Sequence, residues 1–218
     1  QLRKYDDPAV FPLLIELFRD EDDDVRRGVL DHLASLETDE ADATVAWSAV
    51  FDKDKAFRGM ARERVAKRTG QVGVSNRVKS VVATGLRSKS DDTVAAAAEM
   101  AQVLKLYEAI PMLINAQVVG GGGGGADSEG SLAYILVGSQ TAFVSDLQPI
   151  VGDSAVAFDP TVSVLTEGVI LRVIDAHVIT YRVDVHNALV GLSSDGWGGQ
   201  STAKLGWDNA KWRAWYAD

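Results

Sequence analysis

The sequence predicts an α+β protein with an array of paired helices in its N-terminal half, then a small antiparallel β-module and a C-terminal helix. Three observations lead to this fold class. Apolar residues recur with helical spacing as far as about residue 116. A run of six glycines, residues 120–125, then interrupts the chain. Beyond residue 132, apolar and polar residues alternate as they do in half-buried strands.

The composition narrows the classes of function. The chain has 218 residues, of which 46% are hydrophobic, so it can bury one or two cores. We expect no membrane span, because no apolar run approaches the ~20 residues that cross a bilayer. A net charge of -9 makes nucleic acid an unlikely partner. The absence of cysteine excludes disulfides and thiolate metal sites, and the start at Gln1 favours an extracellular or cell-envelope location over the cytoplasm.

The first element is a pair of amphipathic helices within residues 7–36, joined by an acidic turn. The first helix has its predicted core stripe at Val10, Leu13, Leu14, Leu17 and Phe18, and the second at Val25, Val29, Leu33 and Leu36. A single hairpin cannot bury both stripes. The pattern therefore predicts further pairs stacked on the first.

Further units follow at a similar spacing. The second comprises residues 40–51 and 55–68, with a predicted core of Val45, Trp47, Val50, Phe57, Met60, Ala61 and Val65. The third comprises residues 76–86 and 91–104. Residues 107–116 predict the first helix of a fourth unit, and no second helix follows it directly. We therefore expect the array to leave apolar surface uncovered at this end.

The first unit resembles a HEAT repeat. That family has an early proline in the first helix, an Asp at the turn and a Val-Arg pair that opens the second helix, and the matching residues are Pro12, Asp20, Val25 and Arg26. The resemblance implies an α-solenoid over the N-terminal half. It also implies a structural role for the turn Asp and the Arg, which tend to pair between adjacent repeats in the family.

A second copy of this Asp-to-Arg spacing occurs at Asp52 and Arg58, 32 residues downstream. The structural ladder that the resemblance implies therefore comprises Asp20, Arg26, Asp52 and Arg58. In the third unit, Lys89 and Ala95 occupy the corresponding positions. The pairing is not expected to continue there.

The predicted domains are a helical array at residues 1–117, a glycine-rich linker at 118–130 and a β-module at 131–218. The β-module is predicted to be a sheet or sandwich of six to eight short strands, the clearest at residues 179–186. Asp208 is expected to cap a final helix, and an aromatic plug that closes the module is predicted at Trp207, Trp212 and Trp215. This closing pattern resembles the ends of bacterial HEAT-containing proteins and implies no activity.

A basic segment supplies the candidate interaction face. Between residues 55 and 89, ten basic residues accompany a single acid, Glu63, and the candidate residues are Arg58, Arg62, Arg64, Arg68, Arg77 and Lys79. Like charges four residues apart share one side of a helix, so this face can bind anions or an acidic protein. The alternative is a solvated face opposite acidic neighbours.

Catalytic and metal-binding patterns are weak. Ser154 follows Gly152 and Asp153 as in GDSL-type hydrolases, but it lies late in a segment that reads as β-strands. In the predicted hairpin, His177 and His186 would lie roughly 30 Å apart, too far to share an ion. We expect neither catalysis nor a cofactor.

The sequence thus predicts a non-enzymatic protein–protein interaction or scaffold protein. One alternative is a structural subunit of a homomeric surface or extracellular assembly, in which the partner is another copy of the chain. The other is an anion or nucleic-acid binder that uses the basic face.

Overall fold

The computed structural model describes residues 6–120, 132–151, 156–174 and 177–218. Within these residues it contains α-helices and one antiparallel sheet, so the predicted mixture of helices and strands is confirmed. The chain divides into two compact units. The helical unit comprises residues 1–118 and 185–218, and the β-unit comprises residues 119–184.

Nine α-helices occur in the described residues. They are α1 (Phe11–Leu17), α2 (Asp23–Ser35), α3 (Asp39–Phe51), α4 (Lys55–Val72), α5 (Asn76–Leu86), α6 (Asp91–Val103), α7 (Ile110–Ala116), α8 (Val183–Gly196) and α9 (Asn209–Ala217). Short 3-10 helices cover Pro8–Val10, Tyr107–Ala109 and Ala203–Leu205. The helices α1 to α7 fall where the sequence predicts the four units.

Side-chain caps fix where most of these helices begin. An oxygen of the residue before each helix accepts a hydrogen bond from a free backbone N–H of the first turn, which otherwise has no partner. The capping residues for α2 to α6 and α9 are Asp22, Thr38, Asp54, Ser75, Ser90 and Asp208. Local sequence therefore sets these boundaries before any tertiary packing is considered.

The first seven helices pack as neighbouring pairs. The first members of successive pairs contact one another, as α3 does with α1 and α5, and the second members do the same, as α4 does with α2 and α6. A single core cluster runs through them, and its large fully buried side chains include Phe11, Leu30, Leu33, Met100, Leu113 and Ile114. Burial of these side chains supplies most of the stability of the helical unit.

Four residues of the predicted core stripes in the N-terminal units are exposed: Leu13, Leu17, Val25 and Trp47. Leu13 and Leu17 are 65% and 73% exposed, whereas Phe11 and Leu14 are buried. The short helix α1 is apolar on two overlapping stripes, and the stripe that includes Phe11 is the one that faces the core, because an aromatic ring buries more area than a leucine. Trp47, also predicted in the core, is 48% exposed on α3.

The β-unit is a four-stranded sheet in the order β1-β4-β3-β2. Its strands are β1 (Val118–Val119), β2 (Leu132–Val151), β3 (Val156–Ile174) and β4 (His177–Arg182). The strands β2 and β3 pair antiparallel along their whole length, from Leu132 opposite Ile174 to Val151 opposite Val156, with one β-bulge between Val144 and Asp146. We call this pair the ribbon.

The ribbon replaces the predicted set of six to eight short strands, and no sandwich forms among the described residues. Gly138 and Gly168 lie inside these strands, directly opposite each other. A Cβ on Gly138 would come within 2.0 Å of the Glu167 carbonyl oxygen, so the close approach of the two backbones requires glycine here. The pair also marks the end of β4, whose last partner on β3 is Val169.

The strand predicted at residues 179–186 ends early. Arg182 is its last residue, and α8 begins at Val183. Alternating apolar residues suggested that the strand continued, but Val185, Ala188, Leu189 and Leu192 also recur at helical spacing and are buried in the helical core. The longer helical pattern prevails because it buries four side chains on one face.

The helix α9 packs against α7, the helix that was predicted to have no partner helix directly after it. The helix α8 belongs to the same unit from residue 185 onward. It lies close to α6, since a Cβ on Gly191 would come within 2.3 Å of the Gln102 side chain. The Tyr107 hydroxyl donates a hydrogen bond to Asp195 at 2.6 Å. Residues 185–218, predicted to belong to the β-module, therefore lie in the helical unit, while residues 121–130 of the predicted linker lie outside the described part of the chain.

Candidate functional site

The predicted basic face is a network of ion pairs between helices. From α4, Arg64 lies 2.7 Å from Asp31 of α2, and Arg62 contacts Glu99 of α6. Arg68, also on α4, lies 3.7 Å from Asp42 of α3. These arginines therefore link α4 to the helices on three sides of it, instead of presenting unpaired cations to an outside anion.

The two basic residues of α5 also pair with carboxylates from other segments of the chain. Arg77 lies 3.0 Å from Glu40 of α3, and Lys79 lies 2.6 Å from Glu108, just before α7. The Lys79 contact holds the pKa of the Glu108 carboxyl below its ordinary value. Among the six candidate residues, only Arg58 has no carboxylate contact, and its guanidinium donates to the Asp52 carbonyl oxygen at 2.8 Å.

Of the ladder predicted from the HEAT resemblance, the structure contains the ion pair between Arg26 and Asp52. Arg26 of α2 donates to both carboxylate oxygens of Asp52 at 3.0 Å, and the two side chains are only 11% and 12% exposed. The same guanidinium lies 3.9 Å from the centroid of the Phe57 ring and 3.3 Å from Asp54. Asp20 is exposed on the turn before α2 and lines the same shallow pocket as Arg26 and Asp52.

The predicted tryptophan plug closes one end of the helical unit. Trp212 of α9 is fully buried, and its Nε1 donates to the Gly206 carbonyl oxygen at 2.6 Å. The ring of Trp215 packs edge-on against Trp212, with 5.7 Å between centroids, and against Trp197, with 6.0 Å. The plug therefore lies on the helical core, whereas the sequence predicted that it would close the β-module.

A partly buried histidine completes this end of the unit. His186 of α8 stacks on Trp207 with 4.0 Å between centroids. Its Nδ1 lies 2.8 Å from Oε1 of the fully buried Gln117, whose Nε2 donates to Asn209. An amide oxygen only accepts, so Nδ1 carries the proton, and burial lowers the pKa of the ring from 6.5 to about 4. The neutral imidazole has a packing role here.

An apolar groove crosses α1, α3 and α5. It has a volume of about 740 Å³ and includes Pro12, Ile15, Trp47 and Val81 in its lining. The exposed Trp47 ring stacks on Phe51 with 4.0 Å between centroids. The apolar spacing of α3 predicts Trp47 in the core and therefore does not predict this groove.

The ribbon has two different faces. Side chains directly opposite each other on paired strands share a face. One face carries Gln140, Ala142, Val144, Val162, Val164 and Thr166, and we call it the uncharged face. The other carries Ser139, Thr141, Phe143, Ser163, Leu165 and Glu167, and the bulge adds Asp146 opposite Thr161; we call it the acidic face.

Apolar side chains are exposed on both faces of the ribbon. Large apolar residues there are 48–59% exposed: Val137, Phe143, Val144, Val162, Val164 and Leu165. Monomeric proteins rarely expose a contiguous apolar patch unless a partner covers it. The ribbon is therefore the candidate interaction surface that the structure presents most clearly.

The catalytic and metal candidates gain no site from the described residues. Ser154 lies outside them. Asp184 accepts a hydrogen bond from the Gly168 N–H at 3.2 Å, and His186 lies in the aromatic end of the helical unit instead of on a strand. No group of three or more metal-ligating side chains occurs in the part of the chain that the structure describes.

In comparisons with known proteins, no family model, curated protein or solved structure matches the chain significantly. Among the described helices, none combines the length and apolar character needed to cross a membrane.

Proposed function

We propose that this chain is a non-enzymatic protein–protein interaction or scaffold protein, and that the ribbon is its binding element. The observation that carries the proposal is the exposure of large apolar side chains on both faces of a two-stranded ribbon. An isolated two-stranded hairpin is at best marginally stable in water. A ribbon of about 20 residues per strand therefore gains from a partner that covers it.

The helical unit supports the ribbon in this proposal. We infer a HEAT-like array, because the Arg26–Asp52 pair is the contact that the resemblance implies between adjacent repeats. This unit has its own buried core, which includes Trp212, and its charged side chains pair between helices. Such a unit is suited to holding the two ends of an inserted binding element.

The anion-binding alternative has less support. Five of the six candidate basic residues lie beside a carboxylate, and Arg58 is bound to a backbone carbonyl. An incoming phosphate would have to displace these partners. Homomeric assembly, in contrast, is compatible with the proposed function, since a second copy is itself a protein partner.

Site-specific photo-crosslinking in the native host tests the proposal. A photoreactive phenylalanine analogue is placed at Phe143 on the ribbon or, as a matched aromatic position, at Trp47 in the groove. We expect a cross-linked protein product from position 143, whether it contains another protein or a second copy. Products from position 47 alone, or from neither position, would contradict the role of the ribbon.

A further inference from the structure

A small pocket of the helical unit lies beside the Arg26–Asp52 pair. Its volume of about 300 Å³ falls at the lower end of the range for small-molecule sites. The lining residues are Ile15, Arg19, Asp20, Arg26, Trp47, Ser48, Phe51, Asp52, Lys53 and Asp54. Ile15 and Trp47 also line the apolar groove, so the pocket adjoins it. A ligand in this pocket therefore meets charged groups on one side and apolar surface on the other.

Most charged groups of this pocket already have partners within the chain. The Arg26 guanidinium binds the carboxylates of Asp52 and Asp54, and Arg19 pairs with a glutamate one helical turn before it. In the part of the chain that the structure describes, two charged side chains of the lining make no ion pair and no hydrogen bond: Asp20 and Lys53. The pocket thus offers one unpaired acid and one unpaired base.

A buried hydroxyl in the lining also lacks a partner. Ser48 is 2% exposed, and its Oγ makes no hydrogen bond to any described residue. One turn earlier in α3, the Thr44 hydroxyl donates to the Glu40 carbonyl oxygen at 2.9 Å, which is the usual way for a helix to satisfy such a group. A buried hydroxyl without a partner costs free energy. A polar ligand in the pocket can supply the missing hydrogen bond.

The two unpaired charges indicate which ligand fits. A ligand with only a positive charge would meet the like charge of Lys53, and a ligand with only a negative charge would meet that of Asp20. A zwitterion can place each of its charges beside the opposite one. The half-exposed Trp47 ring offers the surface on which an apolar side chain can pack.

We propose that this pocket binds a free amino acid with an apolar side chain. The ammonium group of the ligand pairs with Asp20 and its carboxylate pairs with Lys53, while the Ser48 hydroxyl bonds to the charged end of the ligand. The apolar side chain packs on Trp47, where the pocket adjoins the groove. The site belongs to the helical unit, so this inference goes beyond the proposed function and does not depend on the ribbon.

Titration of the isotope-labelled whole chain with L-phenylalanine, followed by NMR, tests the proposal. We expect the indole N–H signal of Trp47, assigned by its loss in Trp47→Phe, to shift and saturate with a dissociation constant below about 1 mM. Phenethylamine lacks the carboxylate and N-acetyl-L-phenylalanine lacks the ammonium group, so each should bind at least about tenfold more weakly. The proposal is overturned if either analogue binds as tightly as the amino acid. It is also overturned if L-phenylalanine, L-leucine and L-methionine all fail to give a saturable shift up to about 10 mM.

Matched variants test the location of the site. Asp20→Asn removes the unpaired carboxylate, whereas Glu21→Gln removes the same charge from the next residue, which is exposed and does not line the pocket. The dissociation constant should rise at least about fivefold in Asp20→Asn and stay within about twofold in Glu21→Gln. Ser48→Ala should weaken binding by about threefold without lowering the free energy of unfolding, because the hydroxyl has no partner to lose. Unchanged affinity in both Asp20→Asn and Ser48→Ala would show that the amino acid does not bind here.

Discussion

The helical unit and the ribbon differ in how their charged and apolar side chains are covered. In the helical unit, charged side chains pair across neighbouring helices, as Arg64 does with Asp31, and Trp212 is fully buried. In the ribbon, the backbones of the two strands are hydrogen-bonded to each other, while the side chains of Val144 and Val164 are about half exposed. The helical unit therefore buries and pairs its side chains within the chain, whereas the ribbon has apolar surface that a partner can cover.

The largest expected effect is on the aromatic end of the helical unit. Trp212→Ala removes a fully buried indole and should lower the free energy of unfolding by about 3–5 kcal/mol. Trp197→Ala is the matched control, because Trp197 is exposed, and should cost less than about 1 kcal/mol. Urea denaturation followed by circular dichroism measures both changes. Equal effects would contradict the closing role of Trp212.

The next effect concerns the contact between the first two helical pairs. Arg26→Ala leaves Asp52 largely buried without its partner and should cost about 2–3 kcal/mol in the same assay. Arg27→Ala breaks only an exposed pair with Asp24 and should cost less than about 0.5 kcal/mol. If the two variants lose the same free energy of unfolding, the Arg26 contact stabilises the protein no more than an exposed ion pair does.

A smaller effect should appear with pH. The folded protein holds His186 neutral with a pKa of about 4, whereas the unfolded chain titrates near 6.5. The unfolded state therefore binds more protons between these values, so the free energy of unfolding falls as the pH drops from 6.5 to about 4. The ring is partly exposed, so solvent screening limits the loss to roughly 1–2 kcal/mol.

The variant His186→Phe keeps an aromatic ring against Trp207 but removes the titrating group. Its stability should therefore change less than that of the unaltered chain over the same pH window. Unfolding curves at pH 7, 6, 5 and 4 measure the difference. Parallel pH profiles for the two proteins would show that His186 is not the group responsible.

The smallest expected effect follows from removing most of the ribbon. Val137 and Val169 lie directly opposite each other, so replacing residues 138–168 by Asn-Gly joins them through a two-residue hairpin turn. The helical unit should keep its free energy of unfolding within about 0.5 kcal/mol. A loss of several kcal/mol would show that this unit depends on the ribbon.

Local signals in the sequence account for most of the helical unit. Caps such as Ser75 and Ser90 and regular apolar spacing predict α2 to α6 to within a few residues. The exposed Trp47 and the start of α8 at Val183 could not be predicted in the same way. Burial of Trp47 depends on which side of α3 its neighbours occupy, and Val183 and Val185 fit both a strand and a helix until the later residues of α8 are counted.

The ribbon and the ion pairs of α4 depend on contacts far apart in sequence. Gly138 and Gly168 indicate turns when each is read alone, and only their pairing shows that they lie within long strands. Likewise, Arg62 and Arg64 suggest a basic face until Glu99 and Asp31 are placed beside them. The sequence alone therefore predicts which residue types form the candidate sites. Which of these side chains a partner can reach depends on contacts between residues far apart in the sequence.

Hydrogen–deuterium exchange of the purified chain in dilute solution compares the helical unit and the ribbon in one measurement. We expect the amides of residues 138–151 and 156–168 to exchange faster than those of α2 to α6, because a two-stranded ribbon is at best marginally stable by itself. Ribbon amides that are as strongly protected as the helical amides would show that the ribbon is stable without a partner.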